Sequence, residues 1–282
     1  MRPVRRKADS TATWEIARPS RETALPGIDM AGFRIRGDSP TELRAIPHPA
    51  VTVAVEFGDR PVDIHGATGR MRLKSLAAGL AFSAFQVRAD GVECVQIRLS
   101  PLAAHPVLGL PLVELRGSVI ALDDLWGRDT PRLRERLHHA RTWPERFALI
   151  DAEVFTRLRA GRPVDPEVAW AWRQIVASHG RARVSDLAAR TGWSRQRMWS
   201  RFGSQIGLTP KRAAILVRFD HAIHRLVRGH HPARVAADGG YADQSHLHHD
   251  VRAFTGTTLT AAANEPWLAA DDVAWPAHGG AV

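Results

Sequence analysis

An internal repeat constrains this chain more than any other feature. The stretch Leu187-Ala188-x-x-x-Gly192-Trp193-Ser194-x-x-x-Met198-x-x-x-Phe202-x-x-x-x-Gly207 returns as Val235-Ala236-x-x-x-Gly240-Tyr241-x-Asp243-x-x-x-Leu247-x-x-x-Val251-x-x-x-x-Gly256. Ser194 and Asp243, Met198 and Leu247, and Gly207 and Gly256 are each 49 residues apart, and the second turn carries one extra residue. Each position has a physical purpose. A short helix buries Leu187 or Val235, and a small alanine follows to admit a neighbouring helix. Gly192 or Gly240 can take the left-handed conformation that ends that helix. Trp193 or Tyr241 plugs the turn, and Ser194 or Asp243 caps the next helix. Met198 with Phe202, and Leu247 with Val251, hold that helix by one face at i, i+4. This is the pattern of a helix-turn-helix, whose second helix keeps its outer face free for a major groove.

The outward set on the first reading helix is Arg195, Gln196, Trp199 and Ser200, with Arg197 near the edge. On the second it is Gln244, Ser245, His246, His248 and His249, with Arg252 a turn later. Arginine can pair with guanine and glutamine with adenine. Between the copies, Thr209-Pro210 opens a helix expected to run to Arg228, with Thr209 as N-cap. About 20 residues at about 1.5 Å each give about 30 Å, close to the roughly 34 Å between successive major-groove faces. One chain could thus present two reading helices to adjacent turns. Charge agrees with this. The whole chain carries a formal +10, and residues 173–254 hold 14 basic against five acidic side chains, leaving 25 against 24 elsewhere. Arginine bias alone would not concentrate the excess on the repeat.

Residues 165–263 resemble the DNA-binding domain of AraC/XylS-type transcriptional regulators. The resemblance rests on Ser185-Asp186-Leu187-Ala188-Ala189-Arg190-Thr191-Gly192-Trp193-Ser194, on Gly207-Leu208-Thr209-Pro210-Lys211-Arg212 and on Gly240-Tyr241-Ala242-Asp243-Gln244-Ser245-His246-Leu247. It implies seven helices in two subdomains, promoter DNA and RNA polymerase as partners, and control of transcription initiation. It also implies that the outward residues named above face base edges or phosphates. Three departures stand out. Ser200 and His249 occupy positions where the family commonly has arginine, and Gly256-Thr257-Thr258-Leu259 lacks the proline usual after the threonine, which leaves the start of the last helix open.

The remainder is expected to be an α+β arrangement. Residues 1–32 read as a loosely ordered segment and 33–162 as a β-rich regulatory domain ending in helices. Residues 165–263 read as the tandem helix-turn-helix domain, and 264–282 as an extended tail. Strand signals lie at 50–57 and 94–99, and helix signals from Thr130-Pro131 and from Trp143-Pro144 to Gly161. Family members commonly carry a sensor or dimerisation domain in the N-terminal half, so a small-molecule effector and a homodimer are both compatible. No residue can be assigned to an effector. The single cysteine, Cys94, excludes intramolecular disulfides and multi-cysteine metal sites and reads as a buried small hydrophobe. His246 and His249 share a helical face without a carboxylate or thiol at ligand spacing, so no metal or other cofactor is expected. No nucleophile elbow, His-Glu-x-x-His or paired-acid arrangement suggests a catalytic residue. No apolar run approaches the roughly 20 residues that span a membrane, and the basic start lacks an apolar stretch after it, so the expected location is the cytoplasm, at the nucleoid. Two other readings compete with a regulator. A DNA-targeted repair or modification enzyme would need a convergent polar site in residues 1–162. A non-specific architectural protein would not need two distinct reading helices.

Overall fold

The computed structural model describes residues 4–7, 13–20, 25–37, 40–66 and 69–275. The first ten strands are β1 (Val4–Lys7), β2 (Thr13–Ala17), β3 (Ile28–Arg36), β4 (Thr41–Ala45), β5 (Val51–Glu56), β6 (Val62–Gly66), β7 (Gly69–Leu73), β8 (Leu76–Ala78), β9 (Phe85–Ala89) and β10 (Val92–Leu99). Then come α1 (Pro101–Leu108), a 3-10 turn at Leu112–Leu115, β11 (Val119–Ala121), α2 (Leu122–Trp126), α3 (Asp129–His139) and α4 (Trp143–Ala160). The rest is helical: α5 (Pro166–Ala177), α6 (Val184–Thr191), α7 (Arg195–Ile206), α8 (Pro210–Val227), α9 (Pro232–Asp238), α10 (Gln244–Thr255), α11 (Leu259–Ala263) and α12 (Pro266–Ala274). Among the described residues no helix is long and apolar enough to cross a membrane.

Two antiparallel sheets form the N-terminal region. The larger has the order β1-β2-β3-β10-β5-β8-β11 and the smaller β4-β9-β6-β7. β10 is central in the larger sheet and pairs along its length with β3 and along most of it with β5, so Val95 stands opposite both Gly32 and Val55. One face of that sheet sends Met30, Val53, Val55, Val95, Ile97 and Leu99 into a common core with helices α1, α3 and α4. Gly32 is required there: a Cβ on it would lie 2.2 Å from the Trp143 ring of α4, so the helix can rest on the sheet only over a bare backbone. A capping box between Thr142 and Glu145 fixes the start of α4. The opposite face of the larger sheet meets the smaller sheet through Val62, Ile64, Leu76, Ala78 and Ala89.

The α+β reading holds, with more order at both ends than the sequence suggested. Within the segment to residue 32, expected to be loose, the described stretches are ordered. They supply β1, β2 and the first part of β3, because Trp14 and Ile16 alternate with polar neighbours and bury one face of β2. The tail is not extended through residue 274 either. Pro266 is a helix starter at the first position of α12 rather than a breaker. Helices also begin earlier than residue 130, at Pro101, where Ser100 caps α1.

Candidate nucleic-acid interface

The C-terminal region contains the two repeated units as helices. In the first, α6 ends at Gly192, which takes φ +67°, and Ser194 Oγ accepts the Arg197 N–H at 3.2 Å to start α7. In the second, α9 ends one residue earlier, at Gly239; Gly240 takes φ +72°, and Asp243 Oδ1 accepts the His246 N–H at 2.8 Å to start α10. Met198, Phe202, Leu247 and Val251 are fully buried, as the i, i+4 spacing requires. Between the units, Thr209 caps α8, and its 18 residues give a rod of about 27 Å. Thr258 caps α11 with Leu259, not proline, at the first helical position.

The outward residues stand as follows. Arg195, Gln196, Arg197, Trp199 and Ser200 on α7 are all exposed, as are Gln244, Ser245, His248, His249 and Arg252 on α10. Trp199 is 49% exposed, so it does not pack away against a neighbouring helix. His246 departs from expectation. It is half-buried, set edge-on against Tyr241 with ring centroids 5.4 Å apart. Gln244 and His248, one turn apart, approach to 3.4 Å and form a joint polar surface.

Electrostatics separate two kinds of arginine. Arg201, Arg218, Arg225, Arg228 and Arg234 are engaged with Asp165, Asp250, Asp238, Asp272 and Asp238 respectively. Arg195, Arg197 and Arg252, on the reading helices, have no acidic partner within ion-pair distance among the described residues. Arg197 lies over the Trp193 ring at 4.6 Å, which holds its stem while leaving its charge at the surface. The one acid within α10, Asp250, is paired with Arg218 of α8 at 3.3 Å. Arg218 in turn covers the buried Tyr241 ring. Burial, followed by the nearby Asp250 charge, pushes the Tyr241 hydroxyl up to about 12.

Sequence reasoning missed a polar joint between the two regions. Arg98 of β10, which reads as an outward residue of a half-exposed strand, is 2% exposed. It makes a two-pronged ion pair with Asp271 of α12, itself 4% exposed, and Trp275 covers the guanidinium at 4.6 Å. From α8, His224 Nδ1 lies 3.1 Å from Asp272, and its Nε2 lies 3.7 Å from both Asp220 and Asp271. Burial pushes the Asp220 carboxyl up to about 6, against the pull of His224 and Arg98. α12 therefore joins the larger sheet to the rod between the reading helices. Only the Pro266 start signal and the carboxylates at 271 and 272 could have hinted at this.

A cavity of about 100 Å³ lies between the two sheets, lined among others by Phe33, Leu43, Glu56, Phe85, Val87 and Gln96. Its wall is mostly apolar. Glu56 is 3% exposed and accepts the Gly58 and Glu93 N–H groups at 3.0 Å. Burial outweighs those bonds and pushes its carboxyl up to about 8, so it is largely protonated at neutral pH. Cys94 also lines the cavity; it is buried, and that burial pushes its thiol well above the usual range.

Comparison with known proteins agrees with this geometry. A family model described as a helix-turn-helix domain matches residues 187–265. Over 64 residues the chain is 34% identical to the uncharacterized HTH-type transcriptional regulator YbfI of Bacillus subtilis (strain 168). The C-terminal domain is of the AraC type. The stretch shared with YbfI is 23% of this chain and 23% of that protein, so the likeness concerns the AraC-type domain and not the whole molecule. For the whole fold, the structure of ToxT from Vibrio cholerae O395 bound to (E)-4-(8-methylnaphthalen-1-yl)but-3-enoic acid superposes with a TM-score of 0.50 at 9% identity. That match covers 86% of this chain and 98% of ToxT. The overall fold is thus one already seen in a solved structure.

Proposed function

We propose that the protein is a sequence-specific regulator of transcription that sets α7 and α10 into successive major grooves of promoter DNA. The observation that carries this reading is the pair of capped, outward-facing helices on a common rod, with Arg195, Arg197 and Arg252 left without acidic partners. Arg195, Gln196, Trp199, Ser200, Gln244, Ser245, His248 and His249 are the residues assigned to base edges and nearby phosphates. Arg197 and Arg252 are assigned to the backbone. The half-buried His246 supports the Tyr241 turn more than it reads bases. Residues 165–263 form the DNA-binding part in this reading, and the β-rich part before it is regulatory. The cavity between the sheets is the effector site in this reading, suited by its mostly apolar lining to a small apolar molecule.

Selection of duplexes from a randomised pool by the full chain tests the reading. It predicts an enriched site with two halves about one helical turn apart and affinity that falls steeply with salt. Gln244→Ala should relax preference at one base pair. Arg252→Ala should weaken all duplexes alike and reduce the salt slope by about one. Recovery of no preferred sequence would remove specific regulation and favour an architectural role.

A further inference from the structure

The last turn of α10 is finished by side chains and backbone from the N-terminal region. The final carbonyls of a helix have no partner within the helix. Here the Arg44 guanidinium of β4 donates to the Thr255 carbonyl at 2.6 Å, and the Ala84 N–H donates to the Phe254 carbonyl at 2.8 Å. Thr255 is fully buried, and its hydroxyl donates to the Val251 carbonyl at 2.7 Å. The Phe254 ring is stacked on both sides. It meets Phe82 of the N-terminal region at 5.2 Å and Phe219 of α8 at 4.2 Å between centroids. Gly256 ends the helix at φ +71°, and a Cβ there would stand 3.3 Å from Arg44 Nη1, so the cap is close-fitting. A cation at a helix C-terminus is also favoured by the helix dipole.

Among the described residues α7 has no comparable cap. It ends at Gly207, which packs against the Leu112 backbone and receives no charged side chain from the described residues of the N-terminal region. The strand that carries Arg44 is also a wall of the cavity: Leu43 and Ala45, its neighbours on the other face, line it, and so does Phe85, next to Ala84.

We propose that Arg44 is a positioning residue for DNA reading: it fixes the C-terminal end of α10, and with it the second reading face, to the wall of the effector cavity. This deepens the regulatory reading above and rests on it for the DNA step, while the restraint on α10 stands on the contacts alone. An occupant that shifts β4 would move the second reading helix and leave the first where it is.

Hydrogen exchange on the full chain tests the restraint without DNA. In Arg44→Ala, amides of residues 251–256 should exchange about three- to tenfold faster, those of 203–207 should keep their rate, and Arg44→Lys should restore most of the protection. A footprint on a selected duplex then tests the reading role. Arg44→Ala should weaken protection of the half-site under α10 by up to about tenfold and spare the half under α7. Unchanged exchange at 251–256 would overturn the proposal. So would faster exchange or weaker protection at both helices alike, since that is what general destabilisation gives. If no duplex can be selected, the regulatory reading fails, and the exchange result still decides whether Arg44 holds α10.

Discussion

α7 ends at Gly207 against the backbone of a 3-10 turn, whereas α10 ends at Gly256 beneath the Arg44 guanidinium. The two units are close copies within themselves. Each has a left-handed glycine in its turn, a buried aromatic or half-buried tryptophan after it, a side-chain N-cap and an i, i+4 pair in the core. They differ in their attachments and in their outer faces. Both carry a glutamine, but α7 adds arginines and a tryptophan, while α10 adds histidines with one arginine a turn away. The internal packing of a helix-turn-helix is thus set by a few spaced residues. What each unit presents on its outer face, and what holds it to the rest of the molecule, is set by residues the repeat does not share.

The largest expected effect falls on what the units have in common, the rod. Asp271→Ala leaves Arg98 charged and buried without its partner, which should cost about 3–5 kcal/mol. Urea unfolding measures it, and a loss below about 1 kcal/mol would show that α12 does not clamp the rod. Next comes the core of each unit. Phe202→Ala should cost about 3–5 kcal/mol and Leu247→Ala about 2–5 kcal/mol, both as lower thermal midpoints. If the units are separately packed, Phe202→Ala should weaken protection by α7 first and Leu247→Ala protection by α10 first. Equal loss at both halves would mean that the two fold as one.

A third prediction concerns the N-terminal cavity. The folded Glu56 carboxyl titrates near pH 8 against an ordinary value of 4.5, so the folded state holds a proton that the unfolded state has lost. Stability therefore falls as pH rises through this window. Between pH 6.5 and 8, above Asp220 at about 6 and the half-buried His221 at about 4, the loss should be about 2 kcal/mol. Glu56→Gln, which keeps an acceptor for the Gly58 and Glu93 N–H groups, should flatten the profile. A variant that kept the wild-type slope would place the titrating group elsewhere. The smallest effect separates the two caps. Ser194→Ala and Asp243→Ala should each cost about 1 kcal/mol, with Asp243 the costlier because its charge also meets the positive end of α10. Equal losses would remove the charge contribution.

The repeat made the C-terminal domain legible because its signals are local. A cap, a turn glycine and an i, i+4 core pair lie within a dozen residues of one another. Thr209-Pro210 and Trp143-Pro144 announced α8 and α4 for the same reason. The joint of Arg98, Asp271 and His224 was not legible, because its members are separated by up to 173 residues and none carries a local pattern. Arg44 falls in the same class. Trp14 and Ile16 were readable as a strand only with β1 and β3 on either side of it. His246 was placed on the correct helix, but its side chain was claimed by Tyr241, an aromatic contact that helical spacing does not predict.

The central claim is that both units read one duplex together, and a base-resolution footprint of the full chain on a selected site tests it most directly. Two protected segments about one turn apart are expected, with Arg195→Ala clearing one and Gln244→Ala loosening the other. A single protected segment, or two that respond together to either substitution, would contradict it.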